Sequence, residues 1–234
     1  MTARRPIALL VAAGIVFLVL MGLGVWQVQR LAWKTDLIAR VDARVAADPV
    51  PAPPPAEWAG LTAENAEYRR VSVGGEYRPD SDVLVQAVTE RGAGFWVMTP
   101  LVTEDGWTVL VNRGFVAADR RDDRPLPQGP QAVTGLFRLS QPDGAFLRAN
   151  DPDAGRWYSR DTQAIAATLG LPDVAPYFID AEAGQPGDWP RGGLTVIRFA
   201  NSHLVYALTW FGMAALTLVG LGVFVREHRR RRRA

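Results

Sequence analysis

The sequence predicts a membrane protein of the α+β class: two transmembrane helices flanking a mainly antiparallel β domain, barrel-like or a sandwich, with short helices. Two observations predict it. Uncharged, mostly apolar runs lie near both ends, Pro6 to Val28 and Leu204 to Val225, and much of the stretch between them alternates with the period of two that marks strands. At 1.5 Å per residue each run makes about 33 Å of helix, enough to cross a hydrocarbon layer of about 30 Å. Two crossings place both termini on one side.

The basic residues say which side. Arg4 and Arg5 precede the first run, and Arg226 and Arg229 to Arg233 follow the second; cytoplasmic flanks are enriched in Lys and Arg. Residues 1–5 and 226–234 are therefore expected in the cytoplasm and residues 29–203 in the periplasm, with spans at 6–28 and 204–225. The tails hold eight basic and one acidic residue and the centre 18 basic and 23 acidic, so the net charge of +2 comes from the tails. The arginine run reads as a topology anchor, and without a basic, aromatic-interleaved patch in the centre no nucleic-acid partner is expected. A cleaved signal peptide is the rival account of the first run. Its core outlasts the roughly 7–15 apolar residues of such a peptide, and it continues through Trp26, Gln27 and Arg30 without an A-x-A-like site, which favours retention. Five residues before the span leave no room for a transit peptide, so a bacterial inner membrane is expected rather than a mitochondrial one.

After the first span the helix continues through 29–48, because Leu37, Ile38, Val41 and Val45 recur at three to four residues while charges occupy the other faces. Asp48 and Pro49 should stop it. Residues 49–58, PVPAPPPAEW, favour an extended proline-rich strap, read either as a spacer or as a ligand for a proline-binding module. Residues 68–200 are β-rich. Strands are expected at 68–77, 82–89, 94–101, 107–116 and 131–139, with Glu104-Asp105-Gly106 as a hairpin turn. One helix is expected at 160–169, capped by Ser159 or Asp161 and stopped at Gly170 and Pro172. A further strand is read at 176–182, and TVIRF (195–199) is strand-like before the second span. The expected core includes Val83, Val85, Val109, Val111 and Phe137.

Counting limits the chemistry. The chain has no cysteine and two histidines, His203 and His228, neither of them inside the β domain. Disulfides, thiolate metal sites, a His-based triad and a multi-histidine metal site within one chain are excluded. No enzyme is expected; Asp122 and Asp123 are adjacent acids in a proline-rich loop, a setting typical of solvated turns. The lack of Cys, Met-rich and His-rich runs argues against direct copper carriage.

Two clusters mark the membrane edges. Trp26, Arg30 and Lys34 fall at i, i+4 and i+8 on one helix stripe, either an aromatic belt with snorkelling cations or part of a site. Asn201 or Ser202 should cap the second span, leaving His203 in its first turn with Tyr206 and Trp210 on the turns after it. His203 reads as an interfacial polar residue, a helix-end hydrogen-bonding group, or a metal or haem ligand. Within the sheet, Arg113 breaks an apolar strand and is either an edge charge or a partner-binding residue. Gly74-Gly75 and Gly114 suggest bulges or barrel corners.

GVWQVQRLAWKTDLI, YRRVSVGGEY, RGAGFWVMTP, LVNRGFV and GGLTVIRFANSHLVYALTW, in this order, resemble the Surfeit locus protein 1 family. The resemblance covers essentially the whole chain. It implies an assembly factor, chaperone-like in role, for haem-copper cytochrome c oxidase in respiratory chain biogenesis. Such a protein would bind or present haem A, held transiently, for insertion into oxidase subunit I. His203 occupies the position of the family's histidine and is the implied iron ligand, with Trp26, Arg30, Tyr206 and Trp210 as the haem environment; Arg30, Lys34 and Arg198 would suit its propionates. Implied partners are oxidase subunit I, haem A synthase and the lipid bilayer. The alternative is a scaffold without a cofactor that stabilises the subunit I intermediate.

Overall fold

The computed structural model describes residues 4–142, 148–185, 187–197 and 199–231, with residues 4–6 as backbone only. The chain divides into two compact units, residues 1–40 with 198–234, and residues 41–197.

The first unit holds helix α1 (Arg4–Ala46) as far as Arg40 and helix α3 (His203–Arg231). Both are long and apolar enough to cross a bilayer, with mean hydropathy 2.8 and 2.0, and only 6% of each apolar window is covered by protein. A core helix of a soluble protein would be mostly covered; here Ile15, Leu18, Val19, Leu208, Leu216 and Val219 present their side chains outward, a surface suited to lipid. The helices pack antiparallel, Gly24 against Phe211 and Gln27 against His203. Small residues allow that approach: Ala207 and Ala214 are buried, and a Cβ on Gly24 would sit 2.4 Å from the Phe211 ring. As expected, α1 continues unbroken past the apolar run and ends just before Asp48-Pro49.

The second unit is a five-stranded barrel. Strands β2 (Arg70–Tyr77), β6 (Gln131–Leu139), β7 (Val174–Ala181), β5 (Thr108–Ala117) and β4 (Gly92–Thr103) pair in that order, and β4 returns to β2. All these pairings are antiparallel except β5–β7. Two strands lie outside the ring: β3 (Val83–Thr89) pairs with β4, and the two-residue β1 (Val50–Pro51) runs parallel to β2. Gly75 is where β2 leaves β6 and turns to β4, and a Cβ there would lie 2.3 Å from the Val102 carbonyl oxygen. Gly75 thus makes the corner, whereas Gly74 keeps ordinary register with Ala132.

Gly114 makes the bulge. Between the pairs Trp96–Phe115 and Met98–Asn112, β5 spends two residues against one, and Gly114 takes φ +133°. A Cβ there would meet the Arg191 carbonyl carbon at 2.2 Å. Gly114→Ala should cost about 1–3 kcal/mol from the backbone conformation alone and more from the collision; the denaturation midpoint followed by tryptophan fluorescence would register it.

The five expected core residues are all buried, but in two layers. Val109, Val111 and Phe137 fill the barrel with Val71, Leu101, Tyr177 and Ile179. Val83 and Val85 belong outside it, where β3 and helix α2 (Thr162–Leu169) cover Leu110, Met98 and Phe178. Strand β5 is buried on both faces for that reason. Helix α2 is capped by Asp161, which accepts from the backbone N–H groups of Gln163 and Ala164, and ends at Gly170 in the left-handed conformation, as such caps require.

Two expectations fail. The proline-rich stretch is not a free strap: Pro55–Gly60 forms a 3₁₀ helix, and the Pro53 carbonyl accepts from Tyr177 Oη (2.8 Å) and Trp58 Nε1 (3.0 Å). With Trp58 edge-on to Trp107 at 5.9 Å, the segment packs against the barrel core, and burial pushes the Tyr177 hydroxyl pKa upward. Nor does TVIRF form a strand over its described residues. Barrel closure leaves no free edge beside β5, so the approaching chain makes a single bridge, Arg191 to Phe115.

Candidate functional site

His203 is the first residue of α3, partly buried, and its Nδ1 lies 2.7 Å from Gln27 Oε1 on α1. Gln27 is 8% exposed, an amide carried in an otherwise apolar run. Trp26 does not share this face. One residue turns an α-helix by about 100°, so Trp26 points away from the pair and is 50% exposed. Arg30 is exposed, with its guanidinium 4.6 Å from the Trp33 ring, and Lys34 is partly buried. On α3, Tyr206 is 53% exposed. Trp210 is partly buried, two turns from His203 on the side that also holds Ala207, and its Nε1 is shielded without a hydrogen-bond partner. Arg198 lies outside the described residues. The expected set thus separates: His203 and Trp210 lie toward the helix pair, while Trp26, Arg30 and Tyr206 face outward.

The donor set fits a haem iron in one respect that the geometry decides. With Nδ1 turned to the Gln27 oxygen, the other ring nitrogen, Nε2, has no partner among the described residues, and a neutral imidazole nitrogen is an ordinary axial ligand.

A second polar cluster lies in the β unit and has a different character. Asp180 on β7, its side chain 3% exposed, accepts from Asn112 Nδ2 (2.7 Å), Arg138 Nη1 (2.9 Å), Thr195 Oγ1 (2.9 Å) and Arg160 Nη1 (3.2 Å). Glu67 takes Arg138 Nε at 2.8 Å and the Leu139 N–H at 2.9 Å. Burial opposes the Arg138 charge, but Asp180 and Glu67 outweigh it and raise its pKa above the ordinary value; Arg160, where burial dominates, is lowered. A cleft of about 280 Å³ opens beside these arginines and Trp96. The two guanidiniums are already matched by Asp180 and Glu67, so the cluster reads as a structural brace.

Arg113 is corrected in the same way. Strand β5 is paired on both sides, so Arg113 is no edge charge, and it is 7% exposed. Its guanidinium donates to Thr99 Oγ1 (2.8 Å), the Pro125 carbonyl (2.7 Å) and Asp82 Oδ2 (3.1 Å). It ties the loop after β5 to the barrel. Beside it, burial pushes the Tyr77 hydroxyl up to about 12. Asp122, 96% exposed, pairs with Arg124, and Asp123 pairs with Arg120, an exposed turn rather than a catalytic dyad.

The SURF1 family model matches residues 14–215, a range that holds both Gln27 and His203 as well as the barrel. The chain belongs to the SURF1 family. It is 35% identical to Surfeit locus protein 1 of Homo sapiens over 221 residues, covering 84% of this chain and 70% of that protein. The figures for the Rattus norvegicus protein are 35% over 220 residues, 84% and 69%. For Takifugu rubripes they are 34% over 220 residues, 84% and 88%.

Two features of this SURF1 chain escaped sequence reasoning. Gln27 has a signal, since an amide inside an apolar run seeks a partner, but only the packing of α1 on α3 names that partner. Asp180 and Arg138 likewise interrupt apolar strands, PYFIDA and GLFRL, and their pairing needs the β6–β7 register.

Proposed function

We propose that this protein is an assembly factor for a haem-copper cytochrome c oxidase, binding haem A transiently and presenting it for insertion into subunit I. What supports this reading is membership of the SURF1 family together with His203, the histidine that the motif resemblance implies as the iron ligand, whose Nε2 has no partner among the described residues. When bound, haem A would bring redox-active iron to the membrane edge, where His203 would hold it. The chain itself does three things. His203 supplies the nitrogen, Gln27 holds the ring, and the apolar faces of α1 and α3 keep water from a lipid-like tail. Arg30 would meet a propionate by the usual preference of carboxylates for guanidinium. His228 is a poor substitute: 25 residues further along α3 place it about 37 Å away.

The reading includes a bacterial inner membrane with both termini cytoplasmic, the barrel periplasmic, and subunit I and haem A synthase as partners; catalysis has no part in it. A reporter active only in the periplasm should be active when fused near Gln128 and inactive after Ala234; the reverse pattern refutes this topology. The haem reading is tested by the absorbance of protein purified from a host that makes haem A: a haem A spectrum supports it, and colourless protein from such a host rejects it. One observation favours a second reading, a scaffold without cofactor. The Gln27–His203 hydrogen bond also locks one helix to the other, which a scaffold would need and colourless protein would indicate.

A further inference from the structure

The hydrogen bond between the two helices says more about His203 than that it is held. A neutral imidazole carries one proton, on Nδ1 or on Nε2, and the partner of one nitrogen decides the state of the other. Gln27 turns its carbonyl oxygen, which only accepts, to Nδ1 at 2.7 Å. Nδ1 must then be the donor, and the lone pair is left on Nε2. The amide side of the pair is enclosed: Gln27 is 8% exposed, and the helices close around it through Gly24 on Phe211 and through Ala207, while the His203 ring is partly buried. Water therefore competes weakly for the amide, which left unpaired there would carry a desolvation penalty.

We propose that Gln27 is a positioning residue that fixes His203 as the Nδ1–H tautomer and so presents Nε2 to a ligand outside the helix pair. With respect to iron this rests on the haem reading above; with respect to the tautomer it does not. Gln27 does not touch the ligand in this role. It orients the ring, the part played by outer-shell carbonyls and carboxylates at metal-bound histidines. Arg30, three residues on, and Lys34 are the basic groups of α1 nearest in sequence; Arg30 is exposed beside Trp33 and forms no bond to the ring.

Nitrogen NMR of the full-length chain in lipid nanodiscs tests this directly, with ¹⁵N-labelled histidine and His228→Gln leaving His203 as the sole signal. The expected result is a ring protonated at Nδ1 without any haem present. In Gln27→Leu, of similar bulk and without an acceptor, the ratio should move toward Nε2–H. A wild-type ring protonated at Nε2, meaning that the amide donates instead, or a ratio unmoved by Gln27→Leu, overturns the assignment; the wild-type measurement needs no variant to fold. Haem A titration supplies the second readout. Gln27→Leu should weaken binding by about 10–100-fold, the usual loss for an outer-shell partner, with a shifted Soret band, whereas full affinity in that variant overturns the positioning role. Failure of the haem reading looks different: His203→Ala would then bind haem as the wild type does, while the wild-type tautomer remained Nδ1–H.

Discussion

His203→Ala is expected to abolish or strongly shift the haem A spectrum of the purified protein while leaving it inserted and folded. The side chain is at the first turn of α3, and the apolar length that spans the bilayer lies after it, so its loss removes little of the insertion energy. What it removes is the only imidazole the chain can offer at that end; His228→Ala, at the opposite end of the helix, should change nothing. Trp26→Ala should have a smaller effect than Gln27→Leu, because Trp26 points away from the pair and Gln27 bonds the ring. The spectrum is a better measure than oxidase activity, which a damaged scaffold would also lower. An unchanged spectrum in His203→Ala would remove this residue from the site.

Asp180→Ala should destabilise the β unit by about 3–5 kcal/mol, the cost of removing one partner from a buried ionic group. Four donors converge on this carboxylate, two of them guanidiniums with side chains 11% and 16% exposed, and without it the side-chain hydrogen-bond partners left among the described residues are Glu67 for Arg138 and the neutral Gln141 for Arg160. Removing Arg160 as well, in Asp180→Leu with Arg160→Met, should recover part of the loss, because that uncompensated charge goes with its partner while Arg138 stays paired to Glu67. Urea midpoints of the two proteins decide it. A loss below about 1 kcal/mol in Asp180→Ala, the range of exposed pairs, would show that water reaches the cluster and that it braces nothing.

Such a hub is invisible to pattern reading. The alternation of PYFIDAE marks a strand and even its inward residues, since Tyr177 and Ile179 do fill the barrel; it does not say that the opposite face will be covered by α2 and by residues 194–196. The edge reading of Arg113 failed for the same reason. A charge in an apolar strand suggests an exposed edge, and closure of the sheet into a ring removed that edge.

The sequence by itself determined the two long apolar helices, the strands between them, the capped helix before β7, the turn at Gly106 and the family, because each rests on local periodicity, backbone geometry or motif order. Tertiary structure alone decided that β4 returns to β2, that the proline-rich segment packs at Tyr177, and that Arg113 and Asp180 are internal. It alone decided that Gln27, not Trp26, faces His203. Each of these depends on which residues meet across 12 to 176 positions of chain, and no local pattern encodes a partner that the fold has yet to bring together.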